Sequence, residues 1–168
     1  STFTNPGEGQ VGMASPNWYQ TSQGRVLLYT GTTSPRNILA IDVTNPAAPF
    51  LAWSYASPGA SANSTGDVAV AVDPDAGLVV TSVFTNVGTS SAPVYDLRVL
   101  ALDATNGQEA WSAFAGQGPT LDGFKASNPM IEAGAVYLGN PLNATVQSYD
   151  LATGAQRELP LNVDASVN

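Results

Sequence analysis

The sequence predicts an all-β fold made of repeated four-stranded units, and three observations support this prediction. Helical periodicity is nearly absent along the 168 residues. Short β-branched and aromatic runs, such as 67–73 and 78–84, alternate with turns rich in glycine, proline, asparagine and aspartate. In addition, a strand that ends in an apolar residue followed by aspartate recurs at Asp42, Asp103 and Asp150.

The spacing of these aspartates indicates the architecture. Each is preceded by the same order of features: a first strand, a turn, a second strand and a variable loop. A unit of four strands that takes roughly 40 to 50 residues has the period of a propeller blade. We therefore expect residues 1–168 to form a single β-propeller domain or part of one, with blades at about 15–56, 66–116 and 124–162.

The charge composition argues against several classes of partner. Only 11% of the residues are charged, and 13 acidic against 5 basic residues give a net charge of −8. Binding to nucleic acid or to an anionic membrane surface needs clustered lysine and arginine, and no apolar run approaches the roughly 20 residues of a membrane span. The surface must be rich in serine, threonine and asparagine, so we expect an extracellular or cell-surface location, or a periplasmic one in a bacterium.

The chain contains neither cysteine nor histidine. This excludes a disulfide framework, thiolate chemistry and any imidazole base. Chemistry would have to use carboxylates, Lys125, tyrosines or a cofactor. We predict no catalytic, cofactor-binding or metal-binding residue and no cofactor, which favours a protein that is not an enzyme without deciding the question. The acidic segment 73–77 lacks the ligand pattern of a calcium loop, and we interpret it as a tight turn.

Residues 101–111, ALDATNGQEAW, resemble a known repeat. The sequence is similar to the tryptophan docking motif of quinoprotein-type β-propellers, Ala-x-Asp-x-x-x-Gly-x-x-x-Trp. The matching positions are Ala101, Asp103, Gly107 and Trp111.

The other two blades carry degraded copies of this motif. Blade one keeps Asp42 and Trp53 but has Pro46 where the glycine would stand. Blade three keeps Asp150 and Gly154 but has lost the tryptophan. With these copies, the resemblance extends over nearly all of the chain.

The resemblance implies a structural role for the motif. The tryptophan is expected to lie between neighbouring blades, the aspartate to bind backbone N–H groups of its turn, and the glycine to let the chain reverse. Enzymes of the family are expected to hold pyrroloquinoline quinone and calcium, but no catalytic residue of the family maps onto this chain. The blade-docking residues implied are Asp42, Trp53, Ala101, Asp103, Gly107, Trp111, Asp150 and Gly154.

Three blades are too few to close a ring, because known propellers use about four to eight. We expect other protein chains, further blades or copies of the chain itself to complete it. Asn63 and Asn143 begin candidate glycosylation acceptor tripeptides.

The leading functional hypothesis is a non-enzymatic extracellular or cell-surface module for protein assembly or binding. The alternatives are part of a quinoprotein dehydrogenase, or part of a carbohydrate-binding propeller, whose site is completed elsewhere.

Overall fold

The computed structural model describes residues 16–31, 37–56, 70–118, 128–157 and 161–162. In these segments all regular secondary structure is β-strand, arranged as three four-stranded antiparallel sheets. This confirms the predicted all-β fold and its division into four-stranded blades. The described segments contain no long apolar helix of the kind that crosses a membrane.

Each sheet is a meander in which strands that follow one another in the chain pair with each other. We call the sheets blades one (β1–β4), two (β5–β8) and three (β9–β12). The strands are β1 (Asn17–Gln20), β2 (Val26–Gly31), β3 (Asn37–Asp42), β4 (Phe50–Ala56), β5 (Val70–Asp73), β6 (Leu78–Asn86), β7 (Tyr95–Asp103), β8 (Glu109–Gly118), β9 (Met130–Glu132), β10 (Ala135–Asn140), β11 (Thr145–Asp150) and β12 (Leu161–Asn162).

The first interface joins blades one and two through an apolar cluster. Leu27 and Tyr29 on β2 and Trp53 on β4 meet Val79 and Leu102 of blade two. Four of these five side chains are fully buried, and Trp53 keeps only 9% exposure. The removal of this apolar area from water is the main force that holds the two sheets together.

The second interface joins blades two and three in the same way. Leu97 on β7 and Trp111 on β8 pack with Val136, Leu138 and Tyr149 of blade three. Residues on β7 therefore alternate between the two interfaces, as the period of a strand requires. Both faces of the central strands of blade two are covered, which explains the nearly continuous apolar run at 97–102.

The acidic segment 73–77 is the turn between β5 and β6. The Asp73 Oδ1 atom accepts the backbone N–H of Ala76 at 2.7 Å, and Gly77 has a φ of +64°. The interpretation of this segment as a tight turn agrees with the structure.

A buried polar cluster also spans the second interface. Asn140 Nδ2 and Gln147 Nε2 donate to the carbonyl oxygen of Ala115 at 2.7 and 2.9 Å. The Tyr149 hydroxyl donates to Gln147 Oε1 at 2.8 Å, and burial raises the pKa of this tyrosine. Because these groups have left water, the bonds across the interface are needed to offset their desolvation.

We predict that Asn140→Ala lowers the free energy of unfolding by roughly 1–3 kcal/mol, because the buried Ala115 carbonyl loses a donor. The matched control is Gln117→Ala, which removes an exposed hydrogen bond to Asp96 at the end of β8. Urea denaturation followed by circular dichroism measures both variants. Equal effects of the two substitutions would contradict a structural role for the buried cluster.

Candidate functional site: the contacts between blades

The turn after β7 is held by the Asp103 carboxylate. Its Oδ1 atom accepts the backbone N–H groups of Thr105 at 2.7 Å and Asn106 at 3.2 Å, and the Thr105 hydroxyl at 2.6 Å. The chain then reverses at Gly107, whose φ of +73° is in the left-handed region that favours glycine. Gly107 N–H closes the turn on the Asp103 carbonyl at 2.9 Å.

The turn after β11 has the same construction. Asp150 Oδ1 accepts the N–H groups of Ala152 at 3.1 Å and Thr153 at 3.0 Å. The hydroxyl of Thr153, and after it the Thr153 N–H, lowers the pKa of the Asp150 carboxyl. Gly154 has a φ of +72° and donates to the Asp150 carbonyl at 2.8 Å. The turns after β7 and β11 thus have the same conformation although their sequences differ, because both have aspartate and glycine at the same spacing.

The turn after β3 in blade one departs from this pattern. Asp42 Oδ1 accepts the N–H of Thr44 at 2.9 Å, but its Oδ2 forms an ion pair with Arg25 Nε at 2.9 Å. The Thr44 hydroxyl, the Thr44 N–H and the Arg25 guanidinium all lower the pKa of Asp42. Pro46 stands at the glycine position, and its ring fixes a negative φ. This turn therefore cannot reproduce the glycine reversal of the other two.

Trp53 of blade one lies on the Asp103 turn of blade two. A Cβ atom added to Gly107 would lie 2.5 Å from Cε3 of the indole, so only glycine leaves room for the ring. The indole Nε1 donates to the carbonyl oxygen of Ala104 at 3.1 Å. The ring is thus held by a close approach to backbone and by one hydrogen bond.

Trp111 of blade two lies in the same way on the turn of blade three. A Cβ atom on Gly154 would approach Cε3 of the indole to 2.5 Å, and Nε1 donates to the Leu151 carbonyl at 2.8 Å. In both interfaces the tryptophan of one blade contacts the glycine of the next. The acceptor is in both cases the residue that follows the aspartate.

An alanine lies directly opposite each tryptophan in the sheet. Ala40 pairs with Trp53 and Ala101 pairs with Trp111, and both alanines are fully buried. Directly opposite residues are the closest side-chain neighbours in a sheet, so a methyl group leaves space for the neighbouring indole. Ser148 occupies the equivalent position in blade three.

Backbone bonds fix the carbonyl groups that accept the indoles. Ala104 N–H donates to Gly77 O at 2.9 Å, and Leu151 N–H donates to Gly134 O at 3.0 Å. The peptide unit that precedes each accepting carbonyl is therefore bonded to the neighbouring hairpin of the same blade.

Tyr29 is a contributor that sequence reasoning missed. Its hydroxyl donates to the Ala104 carbonyl at 2.8 Å, and its ring centroid is 5.7 Å from that of Trp53. Burial raises the pKa of this tyrosine well above its usual value. Tyr29 lies directly opposite Ala40 in the sheet. This position could have identified it as a residue of the contact between blades, but only once the strand register is known.

The glycosylation candidates differ in what the structure says of them. Asn63 lies outside the described residues, as does Lys125. Asn143 is exposed in the turn between β10 and β11, where its Oδ1 accepts the Thr145 hydroxyl at 2.6 Å. Use of this acceptor site stays a prediction.

The described residues offer no ligand set for the metal of a quinoprotein enzyme. Within the described segments, no three histidine, cysteine, aspartate or glutamate residues come close enough together to hold a metal ion. The aspartate side chains of the three turns are occupied with their own backbone N–H groups. Among the described residues, none is therefore assigned to hold calcium or pyrroloquinoline quinone.

Comparisons with known proteins agree with the blade architecture. No protein-family model matches the chain. A tetrathionate hydrolase of Acidithiobacillus ferrooxidans is 35% identical over 104 residues, which cover 62% of this chain and 20% of that protein.

Three solved structures share the fold at low sequence identity. Quinohemoprotein alcohol dehydrogenase from Comamonas testosteroni has a TM-score of 0.60 at 12% identity, and the match covers 87% of this chain and 30% of that one. BamB from Moraxella catarrhalis has a TM-score of 0.52 at 18% identity, with 92% and 40% covered. A europium-containing methanol dehydrogenase has a TM-score of 0.52 at 16% identity, with 86% and 25% covered.

The fold and the contacts between blades define a β-propeller module. Its blades have the architecture found in quinoprotein dehydrogenases and in BamB. The chain spans one fifth of the tetrathionate hydrolase that it matches and less than half of each solved structure.

We predict that Gly154→Ala destabilises the protein more than Gly134→Ala does. Both glycines have a positive φ, so both alanines carry the backbone strain of roughly 1–2 kcal/mol. Only at Gly154 would the new methyl group collide with Trp111, since nothing lies within 4 Å of a Cβ on Gly134. Overpacking should add about 1–3 kcal/mol to the loss of unfolding free energy.

Chemical denaturation of the two alanine variants, with circular dichroism as the readout, measures the difference. If the two variants lose the same unfolding free energy, the close packing of the indole on glycine does not contribute to stability.

Proposed function

We propose that the chain is a non-enzymatic, extracellular or cell-surface propeller module whose function is protein assembly or binding. Its immediate partners are further blades or other protein chains that complete the ring. The observation that carries this proposal is an apolar row on the face of blade one that points away from blade two.

This outer row crosses all four strands of blade one. Trp18 pairs with Leu28, Leu28 pairs with Ile41, and Ile41 pairs with Leu51. Directly paired residues share a face of the sheet, and none of the four belongs to the cluster of the first interface. Ile41 is buried, Leu28 and Leu51 are half-buried, and Trp18 is 61% exposed. A large exposed aromatic at the end of an apolar row is typical of an interaction surface.

The equivalent row of blade two supports this interpretation. Val72 pairs with Val79, and Val79 pairs with Leu102. All three belong to the cluster that packs blade two against blade one. Since the repeat uses this row to dock on the preceding blade, the row of blade one is suited to dock on another sheet of the same kind.

The outer face of blade three supports docking at the other end. Met130 pairs with Tyr137, and Tyr137 pairs with Ser148. Met130 is 57% exposed, whereas the Ser148 hydroxyl oxygen is buried without a hydrogen-bond partner among the described residues. A buried, unpaired hydroxyl is costly, so this face is suited to a neighbour that supplies an acceptor or a donor. The short span of the chain relative to its matches is consistent with additional blades.

The extracellular or cell-surface location rests on composition and on one exposed turn. The charged fraction is 11%, and Asn143 presents a glycosylation acceptor on the surface. Neutral polar groups would then provide most of the solubility.

A second candidate function is favoured by the 35% identity to tetrathionate hydrolase. In that case these blades would be the scaffold of a propeller enzyme whose site is completed by further chain. Assay of the complete native protein for tetrathionate hydrolysis distinguishes the two candidates. Hydrolysis of tetrathionate by the complete native protein would refute the proposal that the protein is not an enzyme.

We predict that Trp18→Ser destabilises the complete native protein, because docking would bury the indole. The loss of unfolding free energy should be about 1.5–3 kcal/mol, the value of burying a large apolar side chain. Phe114→Ser is the matched control, since Phe114 is 55% exposed on β8 and lies outside the outer row.

In the isolated chain both substitutions should change stability by about 0.5 kcal/mol or less. Denaturation of the complete protein and of the isolated chain provides the comparison. Equal effects of the two variants in the complete protein would contradict docking at Trp18.

A further inference from the structure

A cavity of about 330 Å³ lies between blades one and two, beyond the apolar cluster of the first interface. Its apolar wall is formed by Val83 and Leu100, which are both buried. Tyr55, near the end of β4, borders the cavity from blade one. The volume is at the small end of the range for ligand pockets, about 300–1,000 Å³.

The wall of the cavity is equivalent in position to the buried polar cluster of the second interface. There β8 continues well beyond Trp111, and its Ala115 carbonyl accepts Asn140 and Gln147. At the first interface β4 ends at Ala56, soon after Trp53. The residues that directly follow β4 lie outside the described part of the chain.

The cavity wall is not built to receive a strand. Counted from the aspartate that ends the third strand, Val83 and Leu100 stand where blade three has Asn140 and Gln147. The two apolar side chains offer no donor to a backbone carbonyl, whereas the amides of blade three do. By the same count, the charged Arg98 replaces Thr145. This combination of apolar and charged side chains favours a small charged ligand over backbone.

Charges of both signs line the cavity without pairing with one another. Arg98 Nη2 donates to Ser112 Oγ at 3.0 Å, and the Tyr55 hydroxyl donates to Glu109 Oε2 at 2.7 Å. Asp96 also borders the cavity. Throughout the described segments the ion pair found is that of Arg25 and Asp42, so neither cavity carboxylate is within ion-pair distance of Arg98.

We propose that this cavity binds a small zwitterion of the size of a free amino acid. The carboxylate of the ligand would bind the Arg98 guanidinium, which has five N–H donors in a fork that suits a carboxylate. The ammonium group would bind the carboxylate of Glu109, which lies on the same side of Arg98 as Ser112. The apolar part of the ligand would contact Val83 and Leu100.

Charge complementarity distinguishes this ligand class from others. A dianion would be repelled by the Glu109 carboxylate, and a neutral sugar would leave the charges of Arg98 and Glu109 without a counter-charge. The site is formed by blades one and two and does not depend on how the ring is completed.

Nuclear magnetic resonance titration of the ¹⁵N-labelled chain tests the proposal, with L-alanine and L-glutamine as probes up to about 10 mM. We expect saturable shifts of the backbone amides of Arg98, Glu109 and Ser112. The N-acetyl and the carboxamide forms of each amino acid each lack one charge and should bind at least about tenfold more weakly. D-glucose should produce no saturable shift at these positions.

A pair of glutamate variants and one arginine variant assign the charges. Glu109→Gln should weaken binding at least about tenfold, while the control Glu132→Gln, an exposed glutamate on β9, should not. Arg98→Gln should abolish binding, and a thermal melt shows whether that variant is folded. If Arg98→Gln does not fold, the comparison of Glu109→Gln with Glu132→Gln decides whether the cavity binds the amino acid.

Three results would overturn the proposal. They are absence of saturable binding by either amino acid to the folded chain, equal affinity of the two glutamate variants, and glucose binding at the same residues.

Discussion

The stacking of each indole on the glycine of the next blade is the contact on which the rest of the structure depends. It combines three features at one point: a glycine with positive φ, a carbonyl group of a residue whose own N–H bonds the neighbouring hairpin, and a tryptophan N–H that donates to that carbonyl. Each buried tryptophan also supplies much of the apolar surface that its interface removes from water. Two sheets that pack face to face could slide past each other. An indole ring that packs against a glycine of the next blade fixes the relative position of the two sheets.

The contact has a direction, because the tryptophan of one blade packs on the turn of the next blade and donates a hydrogen bond to it. Blade two both provides Trp111 and receives Trp53, so it is joined on both faces. Blade one provides a tryptophan, but its turn has Pro46 and an ion pair between Arg25 and Asp42 instead of the glycine recess. Its outer face therefore presents the apolar row that ends at Trp18 rather than a recess for an indole. Blade one thus lacks the glycine recess that receives an indole at both interfaces inside the chain.

Much of the fold could be predicted from the sequence because strands and turns are encoded locally. The alternation of apolar residues, the aspartate turns and the blade period predicted sheets that the structure contains. The pairing of Ala101 with Trp111 also follows from local spacing once the hairpin is assumed. The docking role of the motif residues came from resemblance and stays a prediction. The structure shows that Trp53 and Trp111 each contact a turn of the next blade.

Contacts that depend on two distant blades could not be predicted in this way. The Tyr29 hydroxyl reaches the carbonyl of Ala104 across 75 positions of sequence, and no local pattern distinguishes it from an ordinary strand tyrosine. The bonds of Asn140 to Ala115 and of Arg98 to Ser112 likewise require the register of neighbouring strands. The cavity likewise depends on side chains from two blades, since Tyr55 of blade one and Arg98 of blade two meet at it only in the folded chain.

The most direct test of the central contact is a comparison of Trp111→Phe with Trp18→Phe in the isolated chain. Both changes remove one indole N–H, but only that of Trp111 donates to a buried carbonyl of the next blade, whereas Trp18 is 61% exposed. We predict that Trp111→Phe lowers the free energy of unfolding by about 1–3 kcal/mol and speeds amide exchange in β10 and β11. Trp18→Phe should change neither quantity measurably. Equal stability and equal exchange in the two variants would contradict the claim that the indole bond joins one blade to the next.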